Sequence, residues 1–519
     1  MTEMLLEYVR KYEVKKALSA LVNGEDPNLQ DPDGNTPLHL AVLAQSEVLV
    51  KLLIVFDADL TLKNNNKKTA LELAEQIVIE DNEVAARNVR DCIREIIALQ
   101  KRLDDRDRDH PQPSSVPLLK GENLLLSLDG GGIRGLVILQ AVLEMEKRRK
   151  KRYPNSDPLL SRFNWVTGTS SGGISALALA TQKVGAKKGR MLYFNMKDAF
   201  LGGMPPFPNE KVDKVFKTVF EDTKMSHLET NASVMTALAD QTPPILHIMS
   251  SYGKARNKQL PPEETFVWEA ARATSAVPFF FHPQDGKYLD GGLIACNPTV
   301  DAVIDILEHI KESSNPNLKM VLSFGCGLTK PAPVEDVDFD EHSSFFNPGP
   351  MAAHKLEEHS LHLKEHAQHL EEDAHRLVEH ANTLDQKHAE KEKKRAEKEI
   401  EQAEREKKRA EASDMLATGT SLASLILQNL KSFANVMKIM IAQISMPDGE
   451  VCKRGEFLCK AVGAQYFRIN PDLSETVEFN TTDDAELINM LYDVVHYMLE
   501  NCVEQTDPVL DFIYGGKLD

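Results

Sequence analysis

The sequence predicts an α/β domain that is preceded by short helical repeats and interrupted by a long heptad-patterned helix. From about residue 118, apolar runs typical of strands alternate with helical stretches, which favours a largely parallel sheet. Within the first part of the chain, two segments repeat at a spacing of 33 residues. Beyond residue 353, leucines recur at every seventh position, which is typical of helices that pack side by side.

The composition is that of a soluble globular protein and limits the classes of partner. The 519 residues allow two or three domains, and a formal net charge of −18 argues against a nucleic-acid partner. The six cysteines form no C-x-x-C pair, which fits a reducing cytosol rather than a disulfide framework or a zinc site. The sequence shows neither a signal peptide nor the ~20 consecutive apolar residues of a membrane span. We therefore expect a cytoplasmic protein with peripheral membrane contact.

The first segment resembles ankyrin repeats. Thr36 and Thr69 lie 33 residues apart, and TPLH at 36–39 with its following alanine resembles the ankyrin turn-and-helix signature. Residues 14–31 have the character of the back half of an earlier repeat, which gives two clear repeats and a partial one. We expect these helices to bury one another and to offer a surface to a protein partner.

The shifts in composition divide the chain into five segments. Ankyrin repeats are expected at 1–103 and a charged, then Pro/Ser-rich linker at 104–117. The α/β domain is expected at 118–338 and again at 416–519. A charged coiled-coil insertion at 339–415 separates its two parts.

The insertion carries about five heptads, with leucine at one core position and mostly alanine at the other. These positions are Leu356, Leu363, Leu370, Leu377, Leu384, Ala353, Ser360, Ala367, Ala374 and Ala381. A helix of this length needs a partner helix, which comes either from a second subunit or from the same chain. We expect a homo-oligomer that forms through this coiled coil, through the α/β domain or through both. Its histidines, among them His359, His366 and His380, admit metal binding or pH sensing, although solvent-facing positions on a polar helix are the favoured interpretation.

Two other segments admit contact with lipid. KRRKKR at 147–152 could meet anionic headgroups, or it could be the solvated end of a helix. The strongly apolar residues 421–444 could touch lipid or a helix-binding partner, and burial against the α/β core is the favoured interpretation.

The stretch DGGGIRG at 129–135 is predicted to be a glycine turn between a strand and a helix. Such a turn presents backbone N–H groups and the positive end of a helix dipole to an anion. Gly130, Gly132 and Gly135 also fit the G-x-G-x-x-G pattern of dinucleotide-binding turns. The next strand, FNWVTG, ends without the acidic residue that a ribose requires, which argues against a nucleotide as the main ligand.

A second motif, GTSSG at 168–172, has the strand–turn–helix context of a nucleophile elbow with Ser170 at its tip. Gly168 and Gly172 lack the side chains that would clash in such a turn. A serine hydroxyl needs a base to take its proton, and Asp290, at a predicted strand end, is a candidate. The alternatives are a plain Asp-Gly-Gly turn or a histidine base, for which His282 is nearest in sequence.

In this order DGGGIRG, GTSSGG and DGG resemble the motif set of the patatin-like phospholipases, and WEAARATSAVPFFF, MLYFNMKDAF and AVGAQYFRINP agree with it. With ankyrin repeats in front, the chain is similar to the group VI calcium-independent phospholipases A2. The resemblance implies a three-layer α/β/α domain, a Ser170–Asp290 dyad, and an oxyanion hole lined by the N–H groups of Gly130, Gly131 and Gly132. The remaining motif residues support this site: Asp129, Arg134, Gly135, Gly168, Gly172, Gly291 and Gly292.

The resemblance implies release of fatty acid from membrane glycerophospholipids through an acyl-enzyme, with no cofactor and no metal. No D-x-D-x-D-G calcium loop is found in the sequence. Lysophospholipase, acyl-CoA thioesterase and transacylase activities stay open, as does a degenerate scaffold, and the family adds calmodulin as a further partner. Arg134 either attracts the substrate phosphate or orients the turn, or it is a surface arginine at a helix start.

Overall fold

The structure is a computed structural model in which two compact units are formed by residues 1–330 with 443–519 and by residues 331–442. It describes residues 4–80, 83–109, 122–181, 184–201, 203, 205–253, 261–311, 317–328, 349–382, 386–417 and 448–515. The apolar segment 421–444 lies outside these residues, as do 110–117 of the predicted linker and 339–348 of the predicted insertion.

The N-terminal region consists of three helix pairs, so the partial repeat expected from the sequence is a complete pair. The helices are α1 (Met4–Arg10), α2 (Val14–Val22), α3 (Pro37–Leu43), α4 (Glu47–Val55), α5 (Ala70–Glu80) and α6 (Val84–Asp109). Thr36 caps α3, since its hydroxyl accepts the N–H of His39 at 3.4 Å. The His39 ring reaches the carbonyl of Lys68 in the next repeat at 3.0 Å, so the TPLH motif joins successive repeats.

The α/β domain is built on a seven-stranded sheet. Its strands are β1 (Asn123–Leu128), β2 (Trp165–Thr169), β3 (Asn231–Leu238), β4 (Ile245–Ser250), β5 (Tyr288–Asp290), β6 (Leu318–Phe324) and β7 (Gln465–Ile469). The strand order is β4-β3-β2-β1-β6-β7, and β5 pairs with β3. All pairs are parallel except β3 with β4 and β3 with β5. The expected alternation of strands and helices around a largely parallel sheet is confirmed.

Helices cover both faces of this sheet, because successive strand residues point to opposite faces and every residue of β1 and β2 is buried. The helices before the insertion are α7 (Gly135–Arg152), α8 (Ser171–Ala180), α9 (Gly185–Met196), α10 (Asn209–Phe220), α11 (Val267–Thr274), α12 (Gly292–Ala295) and α13 (Thr299–Ile310). Short 3-10 helices lie at Gly132–Arg134, Leu159–Arg162 and Met225–His227, and π-helical turns lie at Lys197–Leu201, Cys502–Thr506 and Asp511–Gly515.

The second unit contains two long helices, α14 (Gly349–Ala381) and α15 (Gln386–Ala417). They pack side by side as an antiparallel hairpin, and Lys407 pairs with Glu371 across it at 2.6 Å. The seam between them is formed largely by buried alanines at heptad spacing: Ala367, Ala374, Ala396, Ala403 and Ala410. Of the two partners that the heptad pattern allowed, the structure shows a helix of the same chain. His366 and His380 are exposed on α14, in agreement with the solvent-facing interpretation.

After the insertion come α16 (Glu450–Ala461), α17 (Asp484–Glu500) and α18 (Asp507–Leu510). Helix α17 joins the ankyrin helices to the α/β domain, since it packs against α4, α6 and α7. The hydroxyl of Tyr492 donates to the carbonyl of Cys92 at 3.0 Å, and Lys51 donates to Asn489 at 3.1 Å. Helix α6 continues through Asp109, so the first part of the predicted linker is helical.

Two arginines of the basic run 147–152 are buried inside the protein, whereas its three lysines are exposed. Arg148 donates to Asp507 at 2.7 Å and to Asp107 of α6 at 2.6 Å, and it is 7% exposed. Arg149 is 4% exposed and donates to the carbonyl of Ser156. These two arginines are buried and bonded to carboxylate or carbonyl oxygens. The two interpretations offered by the sequence, a headgroup contact and a solvated helix end, are therefore wrong for them. Among the described helices, none combines the length and the apolar composition that crossing a bilayer requires.

Candidate active site

The register of three strands brings Ser170 and Asp290 together. Strand β2 ends at Thr169, which pairs with Met235 of β3, and the next residue of β3, Thr236, pairs with Asp290 at the end of β5. Strand β5 therefore continues along the edge of β3 where β2 stops. Two residues that are 120 apart in the chain meet at this point.

Ser170 stands at the tip of a tight turn between β2 and α8. Its φ of 54° lies in the left-handed region, a strained conformation for a residue with a side chain. The turn requires close backbone approach, because a Cβ on Gly168 would lie 2.1 Å from the carbonyl oxygen of Gly172, and one on Gly172 would lie 2.3 Å from that of Leu128. Both glycines of the predicted elbow are thus needed for its geometry.

The Ser170 hydroxyl donates to Oδ2 of Asp290 at 2.6 Å. The other carboxylate oxygen, Oδ1, accepts the N–H of Gly292 at 2.6 Å, and the N–H of Gly291 points to the carbonyl of Thr274 at 3.4 Å. Asp290 is 1% exposed, and this burial raises the pKa of its carboxyl to about 7, against the smaller opposing effect of the Ser170 hydrogen bond. A carboxylate with such a pKa is a far better proton acceptor than an exposed one.

Thr274, which none of the predicted site motifs contains, holds the backbone of Ser170 in place. Its hydroxyl accepts the N–H of Ser170 at 2.9 Å and donates to the carbonyl of Met235 at 2.6 Å. Its position inside WEAARATSAVPFFF was the one available signal, since that segment was quoted for the family resemblance. The alternative base His282 is exposed, and it takes no part in the hydrogen bonds described for Ser170.

The glycine turn, whose N–H groups were expected to line an oxyanion hole, lies directly beside the serine, and its three N–H groups differ in their hydrogen bonds. The N–H of Gly130 donates to the carbonyl of Cys296 at 3.0 Å, and that of Gly131 donates to the Ser171 hydroxyl at 3.0 Å. Gly132 is the first residue of a 3-10 helix, so its N–H has no acceptor within that helix. The N–H groups of Gly130 and Gly131 thus have acceptors within the protein, whereas that of Gly132 has none within its own helix.

Asp129, the residue before the three glycines of the turn, links the end of β1 to strand β7 near the end of the chain. It is buried, and its Oδ2 accepts a hydrogen bond from Arg468 of β7 at 2.6 Å. Burial raises the pKa of Asp129 to about 6 although the positive charge of Arg468 opposes the rise. Although burial disfavours its charged form, Arg468 has its own pKa raised by the Asp129 charge, so the pair is ionised at neutral pH. Arg468 lies in AVGAQYFRINP, the C-terminal segment of the resemblance.

Arg134 is 1% exposed, so its interpretation as a surface arginine is wrong. A side chain buried this deeply is also not available to a phosphate that arrives from solvent, and burial lowers its pKa. Orientation of the glycine turn is the one earlier interpretation that agrees with its position, next to Gly135 at the start of α7.

An apolar cavity of 40 Å³ adjoins Ser170 and Gly132. Its apolar lining residues are Ile133, Ile174, Met196, Leu201, Phe207, Phe216, Val277, Phe280, Phe281 and Phe479. Such a lining suits a hydrocarbon chain next to the serine. Within the described part of the chain, no group of three or more His, Cys, Asp or Glu side chains is arranged to hold a metal ion.

Comparison with known proteins agrees with these features. The patatin-like phospholipase family model matches residues 126–303, and a model of three ankyrin repeats matches residues 6–79. The 85/88 kDa calcium-independent phospholipases A2 of Rattus norvegicus and Mus musculus are each 26% identical over 399 residues, which cover 73% of this chain and 39% of theirs. The intracellular phospholipase A2 of Caenorhabditis elegans is 26% identical over 352 residues, or 64% of this chain and 31% of its own length.

The chain thus spans about two fifths of the length of the rat and mouse relatives it matches. The match to the family covers the glycine turn, the elbow of Ser170 and the Asp290 motif. The expected combination is confirmed: this chain carries a patatin-like phospholipase domain preceded by ankyrin repeats.

Proposed function

We propose that this chain is a serine acyl hydrolase of the phospholipase A2 type that releases fatty acid from membrane glycerophospholipids. The observation that carries the proposal is the 2.6 Å hydrogen bond from the strained Ser170 hydroxyl to the buried Asp290 carboxylate. The apolar cavity beside Ser170 and the names of the similar proteins support a lipid substrate. Peripheral contact with a membrane follows from such a substrate.

The reaction proceeds in two halves. Ser170 Oγ attacks the ester carbonyl carbon while its proton passes to Asp290. The resulting tetrahedral intermediate then expels the lysolipid alkoxide, which receives that proton from Asp290. Water then attacks the acyl-enzyme ester and gives its proton to Asp290, and collapse returns this proton to Ser170 as the fatty acid leaves. Asp290 thus acts as base and acid in each half.

The negative charge on the carbonyl oxygen is held at the glycine turn. Gly132 supplies one N–H donor, and Gly131 supplies a second when it exchanges the Ser171 hydroxyl for the oxyanion. The helix that begins behind the turn adds its positive end. Loss of one oxyanion donor lowers kcat by about 10²–10³ in serine hydrolases, which is the contribution we assign to Gly132.

The experiment measures fatty-acid release from phosphatidylcholine vesicles in the presence of a chelator. Ser170→Ala and Asp290→Asn should each abolish release, and a fluorophosphonate should label the native protein but not Ser170→Ala. Matched controls are Ser233→Ala and Asp305→Asn, which alter buried groups that bond to Thr167 and Tyr252 outside the elbow. Full release by either dyad variant would refute the mechanism, and no labelling of the native protein would indicate a degenerate scaffold.

The same experiment separates the related acyl-transfer reactions. Lysophosphatidylcholine, an acyl-CoA ester or a second lipid as acyl acceptor replaces the first substrate, and the products are compared. All of these reactions share the acyl-enzyme on Ser170, so they differ in substrate and not in the dyad.

A further inference from the structure

The cavity beside Ser170 is too small for its proposed ligand. Its 40 Å³ compares with about 300–1,000 Å³ for pockets that hold drug-sized ligands. A long acyl chain therefore enters only if a lining side chain moves. The identity of that side chain decides which acyl groups the site accepts.

Most of the aromatic lining residues are fixed in the core. Phe207, Phe216 and Phe280 are at most 3% exposed. Phe281 is half-buried, but its ring centroid lies 5.3 Å from that of Phe207 and 5.5 Å from the guanidinium of Arg272, so it has contacts on two sides. Displacing any of these rings would disturb several neighbours at once.

Phe479 differs from these residues in the segment of chain that carries it. It lies between β7 and α17 on a connection without helix or strand, it is half-buried, and its neighbour Glu478 is exposed. Its ring meets Phe280 edge-on, with the ring centroids 4.9 Å apart. Among the lining residues of the cavity, it is the one contributed by the chain beyond the insertion.

Phe479 also touches the glycine turn. Its carbonyl accepts the N–H of Ile133 at 2.7 Å, and a Cβ on Gly132 would lie 2.2 Å from that carbonyl oxygen. Phe479 thus lines the cavity at the glycine turn, next to the position proposed for the ester carbonyl. An acyl chain that runs from that carbonyl into the cavity has to pass the same space.

We propose that the Phe479 side chain occupies the path of the acyl chain and that an entering long chain displaces it, which makes Phe479 a determinant of acyl-chain length. Burial of the chain among the remaining apolar side chains compensates for the lost Phe280 contact. A short acyl group fits without displacement, so it does not depend on this residue. The inference rests on the proposed acyl-enzyme function of Ser170.

The test compares p-nitrophenyl decanoate with p-nitrophenyl acetate. Phe479→Ala should raise the ratio of their kcat/KM values in favour of decanoate by about 10-fold, and Phe479→Trp should lower it. Phe467→Ala is the matched control, because Phe467 is also half-buried but meets the Phe512 ring edge-on at the sheet edge. A purely structural role for Phe479 predicts an equal loss on both esters, and that result would overturn the proposal.

A binding measurement keeps this test separate from the catalytic one. Decanoate is titrated into Ser170→Ala and into Ser170→Ala/Phe479→Ala by calorimetry, and the second protein should bind about 10-fold more tightly. If no ester is hydrolysed but this gain is found, the proposed function fails and the role of Phe479 stands. Equal affinities would overturn the role of Phe479 whatever the activity.

Discussion

Replacing Asp290 by asparagine should give a protein that is inactive and yet more resistant to unfolding than the native one. The native carboxyl is 1% exposed, and its burial raises its pKa to about 7. An ionised carboxylate at this position is therefore held against the preference of its surroundings. Asparagine keeps the shape and a carbonyl oxygen for the Gly292 N–H, but it has no ionised state and cannot accept the Ser170 proton.

The magnitude and sign follow from the two pKa values. In the unfolded chain an aspartate titrates near 4, and in the folded protein Asp290 titrates at about 7. The folded state therefore binds the proton more tightly, so its stability is full below about pH 4 and is lost as the pH rises through 7. The loss is about 1–2 kcal/mol at pH 5 and about 4 kcal/mol at pH 8. The stability gain of Asp290→Asn should thus grow by about 2–3 kcal/mol between these two pH values.

Unfolding in urea, followed by tryptophan fluorescence, measures this difference. The two tryptophans of the chain, Trp165 on β2 and Trp268 on α11, both lie in the patatin domain, so the signal reports on the part that contains Asp290. Native and variant proteins are compared at pH 5 and pH 8. Any constant effect of the new amide cancels in the comparison, as do the other titrating groups.

The activity of the native protein gives a second measure of the same pKa. Because the ionised carboxylate is the active form, kcat/KM should rise with pH and level off above about 7. A gain in stability that is equal at pH 5 and pH 8 would refute the argument that burial opposes ionisation of Asp290. An activity that stays constant from pH 5 to pH 8 would refute its role as the base.

Three other changes test separate parts of the structure. Gly132→Ala should abolish activity and lower the melting temperature more than Gly463→Ala does, because both glycines have positive φ but an added Cβ clashes with Phe479 only at position 132; equal melting temperatures would contradict the clash. Thr274→Val should destabilise the domain by about 1–3 kcal/mol and lower kcat by leaving the Ser170 N–H without its acceptor, and Thr274→Ser should restore both, as measured by urea unfolding and ester hydrolysis. Deletion of α14 and α15 should leave the number of subunits unchanged, as measured by light scattering, because the two helices already bury their alanine seam against each other. Conversion of an oligomer to a monomer by this deletion would instead support a coiled coil between subunits.

Local patterns predicted the elements that carry the site. Adjacent residues around GTSSG predict a strand, a tight turn and a helix in that order. The structure has these elements as β2, the turn at Ser170 and α8. The 33-residue spacing from Thr36 to Thr69 likewise reflects contacts between neighbouring repeats, such as that of His39 with the Lys68 carbonyl. In both cases the physical cause lies within a few residues or one repeat period.

The parts that sequence patterns missed depend on contacts between distant segments. Thr274 bonds to Ser170 across 104 residues, and Arg468 bonds to Asp129 across 339 residues. No spacing rule relates such positions, since their distance depends on strand order and register. The basic run at 147–152 illustrates the same limit, because its composition is that of a surface segment until the carboxylates of α6 and α18 are brought against it.

The position of Asp290 also supports the proposed reaction, in which no histidine takes part. In a Ser–His–Asp triad the base is an imidazole whose ordinary pKa is near 6.5. An aspartate in water has a pKa near 4 and would be a poor acceptor for a serine proton. Burial at the end of β5, beside a single serine hydroxyl and one backbone N–H, raises the pKa of this carboxyl to about 7, in the range of an imidazole. In the proposed reaction this one buried carboxylate replaces both the histidine and the aspartate of a triad, and the backbone N–H of Gly292 holds it in place.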